Sequence, residues 1–197
     1  FLFLAQIVAA QSFTEVPAAP EFDGVESSSI TFADVDGDND QDVLITGENK
    51  SGDQITKLYT NNGMGDFSEM MGTPFDGVAS GSIAFADVDG DNDQDVLITG
   101  QTSSFAYTSK LYINDGSGNF TEMMNTPFDD VRDASIAFAD VDGDNDHDVL
   151  ITGSGSTNGT GRIAKLYTNN GLGAFTEVLG TPFVGVTYGA IAFAETY

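Results

Sequence analysis

The 197-residue chain contains no cysteine and no tryptophan. Without cysteine, a disulfide framework and a thiolate metal centre are excluded, and redox compartment cannot be read from thiol usage. Positive charge is scarce as well, with 6 Lys and Arg against 31 Asp and Glu, a formal net charge of −25. Such a polyanion repels nucleic acid and anionic membrane surfaces, so neither is expected as a partner. Long hydrophobic runs are missing too. The apolar stretch at residues 1–10, FLFLAQIVAA, has half the roughly 20 residues that span a bilayer. No membrane insertion is therefore expected. Its small-residue end, followed by polar Gln11 and Ser12, reads as the remnant of a signal peptide cleaved after Ala10. That reading places the protein outside the cell or on its surface.

Hydrophobic residues make up 40% of the chain and include 15 Phe, enough for a packed core despite the charge. The charge is also clustered. Residues 34–42, 87–95 and 140–148 hold five Asp each, nearly half of all the acidic residues.

These clusters belong to a long repeat, and the repeat organises the fold. The string ITFADVDGDNDQDVLITG starts at Ile30, and near-identical copies start at Ile83 and Ile136, each 53 residues on. A short IAFA copy begins at Ile191. A second block, KLYTNNGMGDFSEMMGTPFDGV in its first occurrence, follows each long copy. Ile30-Thr31-Phe32-Ala33 and Val43-Leu44-Ile45-Thr46 are short, apolar and β-branched, as strands are. Lys57-Leu58-Tyr59-Thr60 and Phe67-Ser68-Glu69-Met70 flank a turn rich in residues that tolerate positive φ. No stretch carries a helical period.

The fold class expected is therefore all-β, a β-propeller of four-stranded antiparallel blades. Residues 27–79, 80–132 and 133–187 would be three full blades, and 188–197 the start of a fourth. Ser12 to Val16 matches the last strand of a repeat, so residues 11–26 read as an orphan outer strand that closes a ring. Rings need roughly four to eight blades. A piece of a larger ring is expected, with self-association through the open blade edge as the other route.

The chemistry lies in the sequence DVDGDNDQD. Unit charges about 4 Å apart repel by around 4 kcal/mol per pair at an effective dielectric near 20, so a short loop needs a cation to hold them. Hard oxygen donors at alternate positions suit Ca²⁺, which takes 6–8 oxygens in a flexible shell, whereas zinc favours His and Cys. An EF-hand fails: Gly37 stands fourth rather than sixth, and the twelfth position is Ile45 rather than Glu.

The pattern resembles the FG-GAP repeats, also called VCBS-type repeats, best known from the propellers of integrin α subunits. Their motif is D-x-[DN]-G-D-G-x-x-D, between the first two strands of a blade. The resemblance implies side-chain ligands at Asp34, Asp36, Asp38 and Asp42 and a backbone carbonyl from Asp40. In the second loop it implies Asp87, Asp89, Asp91 and Asp95, with Asp93 as the carbonyl donor. In the third it implies Asp140, Asp142, Asp144 and Asp148, with Asp146 as the carbonyl donor. One Ca²⁺ per complete repeat makes three, a structural complement that shifts the formal charge from −25 to −19. Asn39, Asn92 and Asn145 replace a usual Gly, and the FAETY ending departs from a fourth motif.

The loops joining second and third strands differ most between repeats, at residues 48–56, 101–109 and 154–164. They emerge opposite the Asp loops, as binding loops on a fixed frame do. Phe105, Tyr107 and Arg162 are the candidate ligand contacts. Phe32, Phe85, Phe138 and Phe193 recur at one strand position and read as core. Met70, Met71, Met123 and Met124 read as filling between blades. His147, the single histidine, stands where the other loops have Gln and reads as a solvent-facing variation. No set of nucleophile, base and orienting residue is visible, so no enzymatic activity is expected. The function expected is a secreted binding or adhesion module for a glycan or protein ligand. The alternative is a subunit of a cell-surface or filamentous layer.

Overall fold

The computed structural model describes residues 22–155 and 161–194. The signal-peptide reading and the orphan strand at residues 12–16 lie outside the described residues. Each repeat folds into one antiparallel unit. Unit 1 comprises β1 (Val25–Ala33), β2 (Asp42–Asn49), β3 (Gln54–Asn61) and β4 (Phe67–Glu69), in that spatial order. Unit 2 comprises β5 (Ile83–Ala86), β6 (Asp95–Gln101), β7 (Tyr107–Asn114) and β8 (Phe120–Glu122). Unit 3 comprises β9 (Val131–Ala139), β10 (Asp148–Gly155), β11 (Arg162–Thr168) and β12 (Thr176–Glu177). The described residues contain no helix. The sheets are not closed on themselves, although one backbone pairing, Thr108 with Val131, joins units 2 and 3.

Strand composition follows from how the units pack. In β6, Val96 and Ile98 face unit 1 while Leu97 faces unit 3, so both sides of the sheet are buried and the run is continuously apolar. One core joins Ala33, Val35, Leu44 and Leu58 of unit 1 to Ile83, Val96 and Ile98 of unit 2. A second repeats this arrangement between units 2 and 3. The core therefore lies between the sheets.

Each unit is also fastened to the segment that enters it. Phe75, in the exit of repeat 1, packs edge-on against Tyr112 of unit 2 with ring centroids 5.0 Å apart. Phe22 does the same with Tyr59, and Phe128 with Tyr167. The adjoining aspartates reach the following unit's lysine: Asp23 to Lys57, Asp76 to Lys110 and Asp129 to Lys165, at 2.7–2.8 Å. The carboxylates bonded to Lys57, those of Asp23 and then Glu69, hold its ammonium above the ordinary lysine range.

The first strands stand side by side and are linked by backbone. Ser80 N–H donates to Ser27 carbonyl at 2.8 Å, Asp133 to Ser80, and Tyr188 to Asp133 at 3.1 Å. All four residues are left-handed, with φ of 49° to 56°. In β1 this kink is a bulge between Glu26 and Ser29, and Gly47 on β2 lies against it. A Cβ at Gly47 would meet Val25 Cβ at 2.8 Å and Glu26 carbonyl at 2.9 Å, so only glycine fits there.

Three sequence expectations need correction. Phe32 is 55% exposed and Phe193 is 42% exposed, whereas Phe85 and Phe138 pack against the cores. The surface that covers Phe85 and Phe138 is the preceding unit, and none lies against β1 among the described residues; Phe193 has unit 3 before it but lies in a segment that forms no strand. Met70 and Met123 do fill space between units, but Met71 and Met124 stand exposed. Consecutive residues at a strand end point opposite ways, so only one of each pair can reach the neighbour. Ile191 to Ala194 form no strand; Ile191 N–H instead donates to the Ser135 hydroxyl at 3.1 Å.

Candidate metal centre

Each Asp cluster occupies the hairpin loop between the first two strands of its unit, at the end opposite the variable loops. Its first residue organises the loop. Asp34 Oδ1 accepts from Gly37 N–H and Oδ2 from Asn39 N–H, both at 2.9 Å. Asn39 is left-handed at φ 69°, and Asn92 and Asn145 match it at 71° and 73°. The Gly-to-Asn departures are thus accommodated, because asparagine tolerates this region.

The last residue closes the loop. Asp42, fully buried at the start of β2, accepts from Val35 N–H at 2.9 Å and Asn61 N–H at 2.8 Å. Asp95 and Asp148 make equivalent bonds, to Val88 and Asn114 and to Val141 and Asn169. Burial pushes the Asp42 carboxyl above its usual range and the Asp95 carboxyl up to about 7. Burial, then the neighbouring Asp38, also raises Asp36, and Asp89 behaves likewise beside Asp91.

These bonds gather three carboxylates in every loop. Asp34, Asp36 and Asp42 each present an oxygen, all within 4.8 Å of one another. The same holds for Asp87, Asp89 and Asp95 and for Asp140, Asp142 and Asp148. Of the other sequence-derived ligands, Asp38 turns one oxygen to Asp40 N–H at 2.9 Å, and Asp91 and Asp144 do likewise to Asp93 and Asp146. The carboxylates of Asp40, Asp93 and Asp146 lie against Gly63, Gly116 and Gly171 in the next turn of their own unit. They stand outside the triads.

The residues fit a bound cation. Asp36 Oδ1 and Asp89 Oδ1 are buried without any hydrogen-bond partner. A buried, unpaired carboxylate oxygen is costly unless a positive charge meets it. Calcium oxygens sit at about 2.3–2.6 Å, so ligands across the ion are roughly 5 Å apart, the scale of the triads. A bound ion would supply charge neutralisation and a cross-link between loop ends.

A family model for the FG-GAP-like repeat matches residues 34–98 and 87–151, more than half of the chain. The chain belongs to the FG-GAP-like repeat family. No curated protein shows a significant match to it. In this FG-GAP-like protein the all-β units, the acidic triads and the repeat register agree with one another. No helix among the described residues is long and apolar enough to cross a membrane.

The opposite end carries the three candidate ligand contacts. Phe105 is 79% exposed in a hairpin loop and left-handed at φ 63°, a strained state for a bulky side chain. Tyr107 is half-buried under the Arg132 guanidinium, 5.1 Å from ring centre, and lines an open groove of about 690 Å³ with Ser103, Ser104 and Lys110. Arg162 is exposed at the start of β11. Arg132 escaped sequence reasoning; the available signal was an arginine where the other repeats have Glu26 and Ala79. His147 is exposed, and its Nδ1 lies 3.0 Å from the Asp87 carbonyl of the preceding loop.

Proposed function

We propose that this protein is a secreted, calcium-stabilised β-propeller module that binds an extracellular glycan or protein through its variable-loop end. The observation that carries the calcium reading is the pair of buried, unpartnered oxygens of Asp36 and Asp89 inside otherwise satisfied loops. Family membership and side-by-side first strands support a propeller arrangement. The apolar remnant at residues 1–10 supports secretion. Phe105, Tyr107 and Arg162, joined now by Arg132, supply aromatic and cationic contacts in a chain otherwise short of positive charge.

Calcium comes first in the test. After removal of divalent ions, isothermal titration is expected to show three equivalents of Ca²⁺ per chain, and Asp36→Ala, which leaves no side-chain oxygen there, to remove one. Retention of all three by Asp36→Ala, or no uptake by the parent chain, would refute the metal assignment. For the ligand, a glycan array and a cell-surface protein panel are probed with and without EGTA. Calcium-dependent binding that Phe105→Ala and Arg162→Ala both abolish is expected. Binding unaffected by either substitution would place the ligand elsewhere.

A further inference from the structure

The three Asp loops are nearly identical in sequence but not in surroundings. Val35 and Val88, the second residues of loops 1 and 2, are each 1% exposed, while the matching Val141 of loop 3 is 40% exposed. Asp36 and Asp89 are half-buried with orphaned oxygens; Asp142 stands exposed. The difference is the following repeat. Its turn between third and fourth strands covers loops 1 and 2, and no such turn covers loop 3 among the described residues.

The contact is specific. The Asn114 side-chain amide of unit 2 donates to Val35 carbonyl at 2.9 Å. The Asn169 amide of unit 3 donates to Val88 carbonyl at 2.7 Å, and Gly173 N–H reaches the same oxygen at 2.8 Å. Val35 lies between two triad members, Asp34 and Asp36, and its own N–H is held by the third, Asp42. The peptide carrying the central ligand is therefore pinned from both directions. The approach is close: a Cβ at Gly118, itself left-handed at φ 76°, would meet Met70 Cε at 2.7 Å and sit 3.9 Å from Asp36 Cβ. Gly173 repeats this against Met123 and Asp89.

We propose that loops 1 and 2 are completed as cation sites by the repeat that follows them, with Asn114 and Asn169 as positioning residues acting through Val35 and Val88. This inference rests on the calcium reading above. Its consequence is that the ion joins one unit to the next rather than only closing a hairpin. Covering the loop removes water from Asp36 and Asp89, so the empty site is costlier and the cation is held more strongly. Loop 3 of this chain keeps its water and binds weakly.

Isothermal titration of the stripped 197-residue chain with Ca²⁺ is expected to resolve two tight sites and one weaker site. Asn114→Ala and Asn169→Ala should each weaken one tight site by roughly 10–100-fold, as loss of a ligand-orienting partner does elsewhere. The double variant should leave no tight site while three weak ones persist. Asn61 holds the same position in unit 1, but its amide reaches only Gln41 carbonyl, in its own unit. A loss in Asn61→Ala equal to that in Asn114→Ala would place the effect inside one unit and overturn the proposal. Three equivalent sites in the parent chain would overturn it without any variant. No calcium uptake at all would instead bring down the metal reading itself.

Discussion

At Asp95 the carboxyl is fully buried and accepts two backbone hydrogen bonds, yet burial still drives it up to about 7. The bonds offset only part of the lost hydration. Asp36, Asp42 and Asp89 are raised for the same reason. Between the ordinary aspartate value near 4 and about 7, the folded metal-free protein therefore holds more protons than the unfolded chain. Its stability is greatest at the acidic end of that window and falls as pH rises. The exposed Asp115 and Asp140 are held low by hydrogen bonds, and their contribution is lost only on acidification below that window. Thermal melts of resin-stripped protein should show a lower midpoint at pH 7.5 than at pH 5, and saturating Ca²⁺ should remove the difference. A metal-free midpoint that climbs with pH would contradict the burial account.

The element that decides unit-to-unit packing is the short exit segment with its Phe-Asp pair. Phe128 is 9% exposed and wedged between Tyr167 and Phe175 at 5.0 and 5.1 Å, so its truncation leaves a cavity in the core shared by units 2 and 3. Phe128→Ala should cost about 3–5 kcal/mol in urea unfolding. Phe183 has the same place in its repeat but is 46% exposed, and Val184 replaces the lysine-pairing aspartate. Phe183→Ala should change stability by no more than about 0.5 kcal/mol. Equal costs for the two would mean the ring contributes within its own repeat rather than across the junction. The flanking ion pairs, with lysine side chains 27–31% exposed, add much less than the aromatic contact.

For the whole molecule, a net charge of −25 makes the folded state repel itself, most strongly where five Asp share one loop. Calcium at 100 times its dissociation constant stabilises by about 2.7 kcal/mol per site. In a protein of this size, that is roughly 5–10 °C of melting temperature per site. Chelation should lower the midpoint by at least that much in 20 mM salt and by less in 500 mM salt, where the screening length is only a few ångströms. A chelator effect indifferent to salt would argue against charge neutralisation as the metal's contribution.

The sequence alone determined the local pattern. β-branched runs bounded by Asn-Gly turns specify strands and hairpins, and the 53-residue register specifies one unit per repeat. The alternating aspartates specify which loop gathers carboxylates. These are short-range properties, decided by neighbours a few residues away. Only the tertiary structure decided which copies of the same motif are buried. Phe32 and Phe85 are the same letter in the same string, yet one is exposed and the other packed, because the covering surface belongs to a different repeat. The triad membership of Asp34, Asp36 and Asp42, but not Asp38, arose from hydrogen bonds closed across the hairpin. The same holds for Asn114 and Arg132, which look like ordinary strand residues until the adjacent unit brings Val35 and Tyr107 to meet them.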